Sequence, residues 1–245
     1  GREYALRADR EHAYNEIWAI ARRTDRLEQL AGECETPVRP ISLDLSQPQS
    51  TRILGELLGG VEEPVVEVGL LVNAAGFGKF GTYRDITQDE TDAMIDLNCR
   101  ALADITQTVL PYMDRGARVI QIASCAAFQP LPGLNLYAAT KAFVLSYTRA
   151  LRFELRGRGI RVTAVCPYWI KTEFVKVARD TQNGTTVKHP WPQLNPRHVA
   201  AWSTWVNKAN YPVATCCLIG FLMRICSKVI PAPIIMWIWE GIRRI

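Results

Sequence analysis

Short apolar runs closed by turn residues alternate with amphipathic stretches along the first two thirds of the chain. The pattern predicts a helix over Arg2 to Arg10, a strand over Ile17 to Ala21, a short helix over Asp25 to Ala31 and a strand over Val38 to Leu43. A helix over Gln49 to Leu58 leads into a strand over Glu67 to Val72. After a glycine-rich loop comes a long helix from about Asp89 to Met113. A strand over Arg118 to Ala123, a helix over Leu136 to Arg156 and a strand over Ile160 to Cys166 complete the series. Strands alternating with helices in this way predict an α/β fold, a Rossmann-like doubly wound parallel sheet. No linker, repeat or low-complexity segment divides it. Residues 1–210 are expected to form one core, with 211–245 as an apolar extension packed on it or used in subunit or membrane contact.

A chain of 245 residues fits one such domain. The net charge of +5 is modest and the basic residues look scattered along the sequence, so no nucleic-acid footprint is expected. Seven cysteines without metal-ligand spacing read as reduced, buried thiols of a cytoplasmic protein, with no metal. The charged opening Gly1-Arg2-Glu3 does not read as a secretory signal.

Ligands of open parallel sheets bind beyond the carboxyl ends of the strands. Ala21-Arg22, Asp44, Asn73, Ser124 and Pro167 all fall at such ends. Tyr137 and Lys141 lie one turn apart on the helix that follows Ser124, on one face. A cation beside a phenol favours the phenolate, so the spacing predicts a tyrosine pulled below its ordinary pKa of about 10 and suited to acid–base work. A serine at the end of the preceding strand can hydrogen-bond the same substrate oxygen.

With Ser124, Tyr137 and Lys141 in place, the chain resembles the short-chain dehydrogenase/reductase family from Gly1 to about Glu173. Asp44-Leu45, Asn73-Ala74-Ala75-Gly76, Asn98 and the run Cys166-Pro167-Tyr168-Trp169-Ile170-Lys171-Thr172 match it in order. The resemblance implies hydride transfer between a nicotinamide and a carbonyl or secondary alcohol. Tyr137 would be general acid or base and Ser124 would polarise the carbonyl. Lys141 would lower the tyrosine pKa and bind ribose, and Asn98 would hold a water linked to the lysine. Asp44 and Leu45 would meet the adenine, Asn73, Ala74 and Gly76 would form the turn beneath the cofactor, and Pro167, Ile170 and Thr172 would face the nicotinamide. Tyr168 replaces the family's usual glycine.

The family opens with a strand and a glycine-rich turn, of which Gly1 alone is recognisable here. The chain therefore reads as lacking the central first strand, which would leave two unpaired ladders. Ala21, twenty residues after Gly1, stands where an NAD-selective enzyme carries an acid, and Arg22-Arg23 follow. A guanidinium suits a 2′-phosphate, so NADP(H) is the expected cofactor, with Arg22 its main contact. An inactive fragment, or a non-catalytic cofactor-binding relative, is the alternative.

Three apolar segments are expected around the substrate: Phe77 to Tyr83, Cys125 to Leu134 and Tyr168 to Val177, with Trp191, Trp202 and Trp205 closing over them. They suit a hydrophobic ketone, steroid-like or acyl, as in the hydroxysteroid and 3-oxoacyl reductase branches. A homodimer or homotetramer through the helices of Asn98 and Tyr137 is what the family implies. In the tail, Val213 to Met223 and Val229 to Trp239 are apolar runs of eleven residues, each short of the about 20 that span a bilayer. Subunit contact, a substrate lid and shallow membrane attachment through the tryptophans with Arg243 and Arg244 are their expected roles, in that order.

Overall fold

The computed structural model describes residues 1–60, 66–181, 187 and 192–244, with backbone alone at 244. Its first half follows the alternation in the sequence: α1 (Arg2–Glu11), β1 (Ile17–Ala21), α2 (Thr24–Glu33), β2 (Val38–Ser42), α3 (Pro48–Leu58) and β3 (Leu70–Asn73). The expected strand from Glu67 is thus shorter at its start. α4 (Gln88–Ile95) and α5 (Ala101–Val109) are joined through a π-helical turn, Asp96–Arg100, so the single long helix read from the sequence is interrupted. Its start is fixed by a capping box, with Thr87 and Glu90 each bonding the other's backbone N–H. It closes in a 3-10 turn at Leu110–Tyr112.

β4 (Arg118–Ile122), α6 (Asn135–Glu154) and β5 (Arg161–Cys166) follow as expected. Beyond them lie elements the alternation did not define: α7 (Phe174–Arg179), α8 (Pro196–Lys208), β6 (Val213–Thr215), α9 (Leu218–Val229) and α10 (Ala232–Arg244). Asn195 caps α8 by accepting from Arg197 N at 2.9 Å, and Pro196 sits at the position where its missing N–H is harmless.

All strand pairs are parallel. They form two pieces, β2-β1 and β3-β4-β5-β6, so β1 and β3 each carry an edge without a ladder partner among the described residues. The sequence reading expected two such edges. The pieces share one core: Trp18 and Ile20 of β1 and Leu71 of β3 pack against Leu54, Ile105, Val119 and Leu151. That core puts α3, α5 and α6 on one face. On the other, Tyr4 of α1 and Val199 of α8 pack with Ile120 and Val165, and Leu27 and Leu30 of α2 pack with Ala19. Helices on both faces of a parallel sheet are the doubly wound arrangement.

A charge cluster ties α1 and α8 to the sheet. The Arg118 side chain, at the start of β4, lies 3.3 Å from Glu11 Oε2 and donates to the Tyr14 hydroxyl at 2.6 Å, and Lys208 Nζ reaches the same Glu11 oxygen at 2.8 Å. Because the Arg118 guanidinium is buried, removing its counter-charge should be felt. Glu11→Gln is expected to lower stability by about 2 kcal/mol, read from the urea midpoint at unchanged slope; a loss near zero would mean water screens the pair.

Candidate active site

The carboxyl ends of β4 and β5 and the first turns of α6 bring the expected residues together. Ser124 follows β4 and accepts from Ala126 N at 3.1 Å, turning the chain into a 3-10 turn over Cys125–Phe128. This turn is held to the neighbouring strand end by Cys125 N donating to Pro167 O at 3.0 Å. Tyr137, in the first turn of α6, brings its hydroxyl near the Ser124 side chain, close enough for the serine to affect its proton affinity. Lys141, one turn later, donates its Nζ to Ile122 O at 2.9 Å, the last carbonyl of β4. The ammonium is then 5.8 Å from the Tyr137 ring centre.

Asn98 sits in the π-helical turn, fully buried. Its Oδ1 accepts from Phe77 N at 3.1 Å, while Nδ2 donates to Phe77 O at 2.8 Å and to Thr140 Oγ1 at 3.0 Å. A π-helical turn leaves one residue out of the regular ladder and re-aims its side chain, which is how the amide reaches both the loop and α6. A Cβ at Gly76 would lie 2.9 Å from Asn98 Oδ1 and 3.3 Å from Lys141 Nζ. One at Gly78 would lie 2.6 Å from the Tyr137 ring and 3.0 Å from Phe174. Both glycines let backbone approach where a side chain would collide.

Burial decides the proton affinities. It pushes the Tyr137 hydroxyl up to about 12 in spite of the nearby Ser124 hydroxyl, and it pulls the Lys141 ammonium down to about 8. The expectation that Lys141 would lower the tyrosine is therefore corrected. The ammonium is directed at the Ile122 carbonyl, and desolvation is the largest influence on the phenol.

The remaining expected positions lie around this centre in several ways. Asp44 accepts from Ser46 Oγ at 2.7 Å and Ser46 N at 3.0 Å, and these bonds, the hydroxyl's above all, with the Arg22 charge, hold its carboxyl below the usual range. Leu45 packs at the core edge, and Asn73 turns inward to Thr106 Oγ1 at 2.9 Å. Ala74 continues from β3 toward Gly76. Gly1 caps α1 and is exposed. Ile170 bridges to Leu194, and exposed Thr172 accepts from Phe174 N at 3.4 Å. Arg22 is exposed and has no carboxylate within 4 Å among the described residues, whereas Arg23 is committed: Arg23 and Arg26 both pair with Glu173, at 2.9 and 2.5 Å. An unpaired guanidinium beyond β1 and the side-chain-free Gly76 beside Lys141 fit a dinucleotide phosphate and ribose.

Gly78 and Phe174 lie in the segments Phe77 to Tyr83 and Tyr168 to Val177 expected around the substrate, whereas Thr140 and the pairing of Glu173 with Arg23 and Arg26 carried no signal in the sequence. The ring cluster around Tyr137 gathers Phe80, Leu131, Leu134, Trp169 and Phe174, with Trp239 of α10 docked on it by donating to Pro132 O at 2.8 Å. Trp202 and Trp205 instead stack on each other, 5.1 Å apart, on α8 and outside that cluster; Trp191 lies outside the described residues.

A family model described as short chain dehydrogenase matches residues 1–183. Serine 3-dehydrogenase of Rhizobium radiobacter is 32% identical over 168 residues, 66% of this chain and 66% of that protein's own length. Sulfoacetaldehyde reductase 2 of Chromohalobacter salexigens is 34% identical over 167 residues, 65% of this chain and 66% of its own. Among solved structures, a short-chain dehydrogenase from Sphingobium yanoikuyae in complex with NADPH superposes with a TM-score of 0.75 at 26% identity, over 89% of this chain and 84% of that one.

The depressed lysine gives a pH signature. Below pH 8, Lys141 is charged in both folded and unfolded chains and its burial opposes folding; from about 8 to 10.5 the folded protein sheds that proton first and the cost disappears. Lys141→Met should thus raise the thermal midpoint most below pH 8, with the gain fading by pH 10.5. A gain that stays constant across melts in this window would show that the ammonium is not strained by burial.

Proposed function

We propose, from the premise that this chain belongs to the short-chain dehydrogenase family, that it is an NADP(H)-dependent oxidoreductase interconverting an apolar ketone and its secondary alcohol. The observation that carries the reading is a buried Tyr137 hydroxyl near Ser124, with Lys141 and Asn98 both closing on the loop at Gly76.

When bound, the nicotinamide cofactor supplies or accepts the hydride. The chain's residues do the rest. Tyr137, raised to about 12, holds its proton at neutral pH and delivers it from Oη to the developing alkoxide; in the reverse direction it takes the proton back. Ser124 Oγ hydrogen-bonds the same oxygen and orients it. Lys141 and Gly76 present the ribose-binding surface, and Asn98 fixes the loop that carries it. Pro167, Ile170 and Thr172 line the nicotinamide side, with Asp44 and Leu45 at the adenine. Asn73 and Ala74 support the turn between them, and Gly1 lies at the amino end of α1, where backbone N–H groups favour a pyrophosphate. Arg22 meets the 2′-phosphate. Arg23 supports this site through its ion pair with Glu173 rather than as a free phosphate ligand.

An apolar substrate is favoured because Tyr137 stands among Phe174, Trp169 and Leu131, and Lys79, the cation on the adjoining loop, is already paired with Glu90 at 2.9 Å. A small substrate bearing a carboxylate or sulfonate, as the names serine 3-dehydrogenase and sulfoacetaldehyde reductase indicate, would need a cation there for that group. The core is taken as residues 1–210 with 211–245 packed on it. Pairing into a homodimer or homotetramer through the helices of Asn98 and Tyr137 is supported by exposed Phe143, stacked on Tyr147 at 5.9 Å. Free thiols at all seven cysteines support a cytoplasmic setting.

Tyr137→Phe is expected to cut turnover by about a thousandfold while leaving NADPH binding within about twofold. Retained turnover would remove Tyr137 from the chemistry. Arg22→Ala should weaken NADPH by roughly tenfold to a hundredfold and leave NADH nearly unchanged; equal losses in a fluorescence titration would refute the phosphate contact.

A further inference from the structure

The last two helices turn apolar faces outward. On α9 the exposed positions include Leu218, Leu222, Ile225 and Val229, one stripe at helical spacing, while Gly220 on the opposite side packs against Cys125. On α10, Ile235 and Trp239 face the protein, and Ile234, Trp237, Ile238 and Ile242 face outward, with Trp237 84% exposed. Each helix thus shows hydrocarbon to solvent where a surface helix normally shows charge.

The charge that the tail does carry is almost all of one sign. Between residues 211 and 245 there are four basic residues and one acid, Glu240, and that acid is held by Arg243 on its own helix at 2.7 Å. Arg224 and Lys228, on the flank of the α9 stripe, line a cavity of about 250 Å³ with Arg149 of α6. None of these three cations has a carboxylate within 4 Å among the described residues. Three basic residues that looked scattered in the sequence are here gathered around the cavity between α6 and α9.

We propose that α9 and α10 dock this protein on an anionic phospholipid surface, with the outward apolar stripes in the acyl boundary and Arg149, Arg224 and Lys228 meeting headgroup phosphates. No helix among the described residues is long and apolar enough to cross a membrane, so the contact is interfacial. A second copy of the chain suits the face less well. A twofold contact places the same patch on both sides, and among the described residues its one acid, Glu240, is already held by Arg243, which leaves Arg149, Arg224 and Lys228 facing like charge.

The test is co-sedimentation of the full chain with vesicles of phosphatidylcholine alone and of phosphatidylcholine with about one third phosphatidylglycerol. The chain should pellet with the anionic vesicles and stay in solution with the neutral ones. Arg224→Gln with Lys228→Gln should weaken partitioning by roughly thirtyfold. Trp237→Glu with Ile238→Glu, at exposed positions, should abolish it with the far-UV circular dichroism and thermal midpoint unchanged. No pelleting with either vesicle, or equal pelleting with both, overturns the proposal. So does a dimer by analytical ultracentrifugation that Trp237→Glu with Ile238→Glu turns into a monomer, since the face would then belong to a second copy.

Discussion

The arrangement of this site rests on one fully buried amide. Asn98 uses Oδ1 and both hydrogens of its Nδ2, and the three bonds reach two separate pieces of chain, the backbone of Phe77 and the hydroxyl of Thr140. Thr140 in turn donates to the carbonyl of Tyr137 at 2.8 Å. The loop after β3 and the first turns of α6 are therefore fixed to each other through one side chain. A buried amide left with any of these bonds unmade costs free energy, so the loop has one position available rather than several. Gly76 and Gly78 are the sequence's concession to that position, because the loop is drawn so close to Lys141 and Tyr137 that no Cβ fits.

Packing also sets the chemistry of the two titrating groups, against what their spacing suggests. Two residues one helical turn apart invite a pairwise account in which the cation stabilises the phenolate. Inside the protein each group meets desolvation first. The phenol is held protonated and the ammonium is weakened, with the lysine's best acceptor a strand-end carbonyl. The outcome is a proton donor kept loaded by its surroundings, with Ser124 placed by the turn that follows β4.

The legible part of the sequence was the part where one physical pattern dominates. β1 occupies the span its apolar run indicates, Ile17–Ala21, and β4, β5 and α6 differ from the reading only at their ends. Ser124, at a strand end, lies near Tyr137 and Lys141, one turn apart on the next helix, as their positions implied, while Asn98 was placed by the family resemblance alone. The π-helical turn was not legible, since one extra residue leaves the apolar pattern of the long helix almost unchanged. The tail was opaque for a different reason. Val213 to Met223 reads as one apolar run, yet it divides at Cys216-Cys217 into a short buried strand and a helix whose apolar side faces out. Hydrophobicity reports that a surface will be covered but not by what. Glu173 was invisible because its meaning depends on Arg23 and Arg26, about 150 residues away in sequence.

That last contact has a practical reach. Glu173 shares its two oxygens between the turn after β1 and the following helix, from the loop that leads into α7, and all three side chains are about half exposed. The turn after β1 with α2 and the loop before α7 are thus joined by a bridge that depends on ionic strength, since mobile ions screen exposed charges within about 10 Å at 0.1 M. Dilute buffer strengthens this tie and concentrated electrolyte weakens it, so the hold between two distant parts of the chain is partly a property of the medium.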